Sequence, residues 1–145
     1  MDLSRRDFVA GACAACLTCA AAPAFAQTAS GPVVDAGEVA ALKEGITDAF
    51  AKSGKILVVR KGDTLFAETA ICTHKNVTLR IVDGLPRCPG HGSRFDLDGK
   101  ATKGPAFRPL GRYAVSIKDG HLLVDTSKPF GPDDYAKDGA SVKIP

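Results

Sequence analysis

The chain has no tryptophan, one methionine and few aromatic residues, with seven Phe and two Tyr among 145 residues. Set against 15 Gly and 9 Pro, this scarcity suits a turn-rich β protein more than a helical bundle. No run of basic residues is interleaved with aromatics, and the formal net charge is a mild +3, so a nucleic-acid surface is not indicated. No nucleophile, base and orienting acid stand out together, so nothing supports hydrolytic catalysis. The length allows one domain plus extensions, with a single modest core.

Long apolar runs are also missing, with one exception at the N-terminus. Ser4-Arg5-Arg6-Asp7-Phe8-Val9 precedes an uncharged stretch over residues 8–26, ending in Ala24-Phe25-Ala26 before Gln27. A basic start, an apolar middle and small residues at the end describe a cleavable export signal. The arginine pair followed by Phe8 resembles a twin-arginine signal, with Ala10 where such signals often carry lysine. An amphipathic helix is excluded because residues 8–22 offer no polar face. A retained membrane anchor stays open, although the segment is short for a span, alanine-rich and interrupted by Pro23. Cys13, Cys16 and Cys19 lie inside this stretch, where cysteine acts as a small hydrophobe rather than a metal ligand. None of the three has a leucine three residues before it, which weakens a lipoprotein reading. Cleavage after Ala26 would remove two arginines and two aspartates, leaving the net charge at +3.

That leaves Cys72 and Cys88 as the only cysteines of the exported chain. In an oxidising compartment two free thiols would be expected to pair. Each, however, sits two or three residues before a histidine, in Cys72-Thr73-His74 and Cys88-Pro89-Gly90-His91-Gly92-Ser93. Two half-motifs, each with one thiolate and one imidazole, suit a two-iron cluster with thiolates on one iron and imidazoles on the other. Between His74 and Cys88 lie thirteen residues.

The surrounding sequence predicts short strands. After a flexible lead over residues 27–32, a strand is expected from Val33 and a short helical segment over residues 38–44, stopped by Gly45. Residues 56–60 and 65–71 read as a hairpin, Asp83-Gly84 and Asp119-Gly120 as hairpin turns, and residues 113–118 and 121–125 as the last strand pair. Residues 127–145, broken by Pro129, Gly131 and Pro132, read as a surface tail. The expected fold is an all-β, small antiparallel sandwich or barrel. Both half-motifs fall in loops at one tip.

The stretch from Ile71 through Asp96 resembles the Rieske [2Fe–2S] iron–sulfur family, and a weaker likeness extends over residues 33–126. The resemblance implies one [2Fe–2S] cluster ligated by Cys72, His74, Cys88 and His91, with the histidine edge facing the redox partner. It places Ser93 where a hydroxyl donates to a cluster sulfur, and Gly104-Pro105-Ala106 where a proline loop covers the cluster. High-potential members add a cysteine to each loop and join the two as a disulfide; the matching positions here are Val77 and Gly90. Phe95 stands where those members place a tyrosine whose hydroxyl donates to a ligand sulfur. Fewer donors stabilise the more negative, reduced state less. The expected midpoint therefore falls in the lower to middle part of the roughly −150 to +300 mV Rieske range.

The expected function is an exported one-electron carrier, either free or the small subunit of a periplasmic oxidoreductase. The Rieske subunit of an arsenite-oxidase-like enzyme resembles it in size and signal. Its expected partners are a redox protein donor and acceptor, with a larger catalytic subunit as a further candidate. Lys75, Arg87, Arg94, Lys103 and Arg108 are candidates for a basic rim steering an acidic partner. A membrane-anchored subunit of a quinol-oxidising cytochrome bc-type complex is the second reading, and a structural Cys₂His₂ zinc module is the reading from another class. The chain is too short for an oxygenase catalytic domain, and only His121 remains to serve one. An oxygenase-type ferredoxin would normally carry no export signal.

Overall fold

A computed structural model describes residues 33–145; the segment expected to be an export signal and the expected lead lie outside the described residues. The architecture is all-β, with eleven strands named β1 to β11 among the described residues. A seven-stranded antiparallel sheet runs β1 (Val33–Glu38), β10 (His121–Phe130), β9 (Arg112–Lys118), β4 (Thr64–Thr69), β3 (Ile56–Lys61), β2 (Gly45–Thr47), and β11 (Val142–Lys143) also pairs with β4. A smaller sheet orders β5 (Arg80–Val82), β6 (Leu85–Arg87), β7 (Arg94–Phe95) and β8 (Ala101–Lys103). This small sheet is inserted in sequence between β4 and β9.

The turn chemistry explains the hairpins. Asp83 and Gly84 both take positive φ, 54° and 75°, and join Val82 to Leu85. Asp119 and Gly120 do the same at 52° and 79°, joining Lys118 to His121. Two left-handed residues in a two-residue loop match the right-handed twist of paired strands.

Apolar residues in β3 do not alternate with polar ones, because Ile56, Leu57, Val58 and Val59 are all buried. The large sheet is covered on both faces, which calls for such a run. Ile56 and Val58 join Leu65, Val115, Leu122 and Val124 in one core. Leu57 points to the other, with Ala70, Leu79, Phe95 and Leu110, where the small sheet packs. This second core carries the candidate site.

Three elements differ from the sequence expectation. Residues 38–44 form only a single 3-10 turn, Val39–Ala41, and Gly45 opens β2 at φ 95° instead of ending a helix. Val39 and Leu42 are drawn into the first core, so burial outweighs the weak helical preference of so short a segment. β10 runs to Phe130, and the following segment returns as β11 beside β4. Residues 127–145 thus add a strand and bury Ala140 completely.

Gly99 has φ 74°, and a Cβ there would lie 2.8 Å from Glu68 Oε1 and 3.0 Å from its Cδ. Gly99→Ala should therefore combine backbone strain with a clash, costing about 2–5 kcal/mol. Urea unfolding of the variant checks this.

Candidate metal centre

The two half-motifs fold as copies of one another. In the first, the Cys72 amide donates to the Val77 carbonyl at 2.9 Å, and the Asn76 amide to the Cys72 carbonyl at 3.1 Å. In the second, the Cys88 amide donates to the Ser93 carbonyl at 2.8 Å, and the Gly92 amide to the Cys88 carbonyl at 3.1 Å. The residue four past each cysteine takes positive φ, 45° at Asn76 and 77° at Gly92. Asn and Gly are the residues that tolerate this region. The matching backbone places the two cysteines equivalently, while the histidine follows its cysteine by two residues in the first loop and by three in the second.

Depth separates the two residue types. Cys72 and Cys88 are unpaired thiols, 0 % and 4 % exposed, packed with Leu79, Phe95 and Ala106 in the second core. His74 and His91 are exposed, with ring centroids 5.0 Å apart and planes at 88°. The sequence-predicted ligands thus sort into an inner thiol pair and an outer imidazole pair.

Gly90 lets the loops approach. A Cβ at that position would stand 3.3 Å from Val77 Cγ2 and 3.6 Å from Cys88 Sγ. A third loop is fastened to both. The buried Ser93 Oγ accepts the Ala106 amide at 3.0 Å, and Thr73 Oγ1 donates to the Arg108 carbonyl at 2.8 Å. Just before Ala106, Pro105 is exposed and follows Gly104 through a cis peptide bond.

The donor set fits a two-iron cluster. Two thiols on the core side and two imidazoles on the solvent side give each metal two protein ligands. A tetrahedral zinc site would draw all four ligands to one point, so the residues present fit the binuclear group better.

Of the suggested basic rim, Lys75, Arg94, Lys103 and Arg108 are exposed, while Arg87 is half-buried and bonded to Asp83 at 2.6 Å. His121 belongs to the large sheet, with Nδ1 3.1 Å from Asp35 Oδ2, and takes no part in the centre. Sequence reasoning missed one buried charged pair. Glu68 is completely buried in β4, directly opposite Arg112 in β9. A carboxylate inside the run Leu65-Phe66-Ala67-Glu68 was its only local signal.

Comparison with known proteins places the chain. The model of the Rieske [2Fe–2S] domain matches residues 32–114. The cytochrome b6-f complex iron-sulfur subunit of Chlorobaculum tepidum is 39% identical over 72 residues, 48% of this chain and 40% of that protein. A cytochrome b6-f complex iron-sulfur subunit 2 of a Nostoc species is 33% identical over 107 residues, 69% of this chain and 60% of that protein. The chain therefore spans less than two thirds of the length of these relatives. Among solved structures, a Sphingomonas yanoikuyae B1 ferredoxin aligns at TM-score 0.49 and 29% identity, covering 64% of this chain and 97% of that one. With two matching Cys/His loops and a domain match across them, the chain belongs to the Rieske [2Fe–2S] domain family.

Proposed function

We propose that this protein is an exported one-electron carrier, free or serving as the small subunit of a periplasmic oxidoreductase. The observation that carries this reading is the pairing of two buried thiols with two exposed imidazoles across matching loops. Cys72 and Cys88 would hold one iron and His74 and His91 the other. Bound there, the [2Fe–2S] cluster supplies a one-electron couple whose potential is raised by imidazole ligation.

The protein's own residues do the rest. Leu79, Phe95 and Ala106 keep water from the thiol side. His74 and His91 face solvent, so a partner reaches the centre through their rings. Ser93 Oγ uses a lone pair on the Ala106 amide, which leaves its own proton free to be donated inward. Phe95 contributes bulk but no donor. This supports a midpoint in the lower to middle Rieske range.

Export rests on the twin-arginine-like segment, read as a signal over residues 1–26 followed by a lead over residues 27–32. The electron-transfer domain would then span residues 33–126 and a C-terminal extension residues 127–145. A twin-arginine route carries folded proteins, which suits a centre assembled before export. The b6-f relatives favour a second reading, a membrane-anchored Rieske subunit of a quinol-oxidising cytochrome bc-type complex. Val77, Gly90 and Phe95 weigh against it, because each replaces a residue typical of high-potential members.

An EPR-monitored redox titration of the natively matured protein decides between them. A rhombic signal of the histidine-ligated type, appearing on reduction at a low or middle midpoint, is expected. A high midpoint would restore the quinol-oxidising reading, and stoichiometric zinc without a signal would overturn electron transfer altogether. In the same titration Ser93→Ala should lower the midpoint by about 20–65 mV, the one-electron equivalent of a net hydrogen bond.

A further inference from the structure

The small sheet carries a row of like charges. Arg80 in β5 lies directly opposite Arg87 in β6, Arg87 opposite Arg94 in β7, and Arg94 opposite Lys103 in β8. Directly opposed residues project from the same face, so four cations cross four strands within about 14 Å. Only Arg87 has an acidic partner, Asp83. No carboxylate pairs with Arg80, Arg94 or Lys103 among the described residues, and all three are exposed. Like charges set opposite one another oppose folding. A fold that keeps three of these four cations unpaired has left them available for something else.

Its position says what. Arg80 begins β5, Arg87 ends β6, Arg94 begins β7 and Lys103 ends β8. All four sit at the end of the sheet from which the metal-centre loops emerge. Arg87 precedes Cys88, Arg94 follows Ser93, and Lys103 precedes Gly104-Pro105. Towards the opposite end of the same face, Val82 and Leu85 form a cross-strand pair, 39 % and 37 % exposed. The inner face is different, with Pro86 and Phe95 buried and Ile81 packed on the second core. The outer face is therefore a small apolar spot bordered by a basic row.

We infer that this face docks the acidic surface of a redox protein, aligning that partner beside the histidine loops. The inference rests on the electron-carrier reading above. The row borders the loops that would hold the electron-transfer centre, which favours a redox protein over a membrane or a nucleic acid. Arg80, Arg94 and Lys103 would supply the attraction, and Val82 and Leu85 the apolar contact once water is expelled.

The test uses the natively matured holoprotein and two triple variants, one changing Arg80, Arg94 and Lys103 to Gln and one changing them to Glu. Stopped-flow absorbance would follow reduction by a pre-reduced acidic plant-type ferredoxin as salt is raised. Reduction by neutral photoreduced deazariboflavin and oxidation by a basic c-type cytochrome run in parallel. The wild-type rate with ferredoxin should fall steeply with salt. At low salt the Gln variant should be slower by about tenfold or more, and the Glu variant slower still. The basic cytochrome should respond in the opposite sense, with the EPR signal and the deazariboflavin rate unchanged.

Ferredoxin rates unaffected by either variant would overturn the proposal, as would a parallel loss of the deazariboflavin rate. Variants that lose co-sedimentation with phosphatidylglycerol vesicles while keeping the ferredoxin rate would assign the row to a membrane and overturn it too. Failure of the carrier reading is separately visible. The wild type would then accept no electron even from deazariboflavin, and both readings would fall.

Discussion

Stability of the folded protein should decline as pH rises from about 4.5 to about 8, and Glu68→Gln should remove that decline. Glu68 is completely buried, and neither carboxyl oxygen has a hydrogen-bond partner. Its one close cation among the described residues is Arg112, whose Nε lies 3.6 Å from Oε1. That guanidinium is held elsewhere, 3.8 Å from the Phe66 ring centre and 4.3 Å from that of Tyr135. It also reaches Asp98, 3.7 Å away, which is itself bonded to Lys61 at 2.8 Å. Burial pushes Glu68 up to about 8, with Arg112 opposing the rise and Asp98 and Asp96 adding to it.

The sign follows from proton counting. Between the unfolded value near 4.5 and the folded value near 8, the folded state holds a proton that the unfolded state has released. Stability is therefore fully present below about 4.5, lost progressively up to about 8, and level beyond. A shift of this size corresponds to a few kcal/mol, on the order of 1.4 kcal/mol per pH unit crossed. Gln keeps the shape and cannot ionise, so the variant should match wild type near pH 5 and exceed it near pH 9. Urea titrations of both proteins across that range provide the check. Parallel curves for the two would show that Arg112 keeps Glu68 ionised in the folded state.

What could be read in the sequence was local. Asp83-Gly84 and Asp119-Gly120 are turns because two adjacent residues accept positive φ, and no distant contact is needed to recognise that. The half-motifs are legible for the same reason, since each loop closes on itself between a cysteine and the residue five positions on. The segment over residues 38–44 misled because its apolar spacing suits a helical turn, while its fate was set by docking Val39 and Leu42 under the large sheet. β11 gave no signal, because two residues become a strand only when β4 offers an edge. The Glu68–Arg112 pair depends on register between β4 and β9, strands distant in sequence. Of the basic row, Arg87, Arg94 and Lys103 could be named as rim candidates beside the loops, while Arg80 joins them only when the four strands are aligned.

Joining the two loops covalently should stabilise the protein by about 3 kcal/mol, the chain-entropy value for closing a loop of about 14 residues. Val77 Cβ lies 3.8 Å from an ideal Cβ at Gly90, within the Cβ–Cβ span of ordinary disulfides. Gly90 does not occupy the left-handed region, so a side chain there brings no backbone strain. Its obstacle is Val77 Cγ2 at 3.3 Å, and replacing Val77 by cysteine removes that methyl. The double variant Val77→Cys, Gly90→Cys should thus succeed where Gly90→Ala alone is crowded. Thermal loss of the visible cluster absorbance should move up by about 10 °C, with mass spectrometry confirming the new pair. Pairing of the new thiol with Cys88, whose Sγ is 3.6 Å from the same point, would destroy the centre and overturn the prediction. The midpoint is informative in its own right. A disulfide adds no donor to a ligand sulfur, whereas Phe95→Tyr does, so the potential should stay nearly constant in the first and rise in the second. A rise with the disulfide alone would transfer control of the potential from hydrogen bonding at Ser93 and Phe95 to the rigidity of the loops.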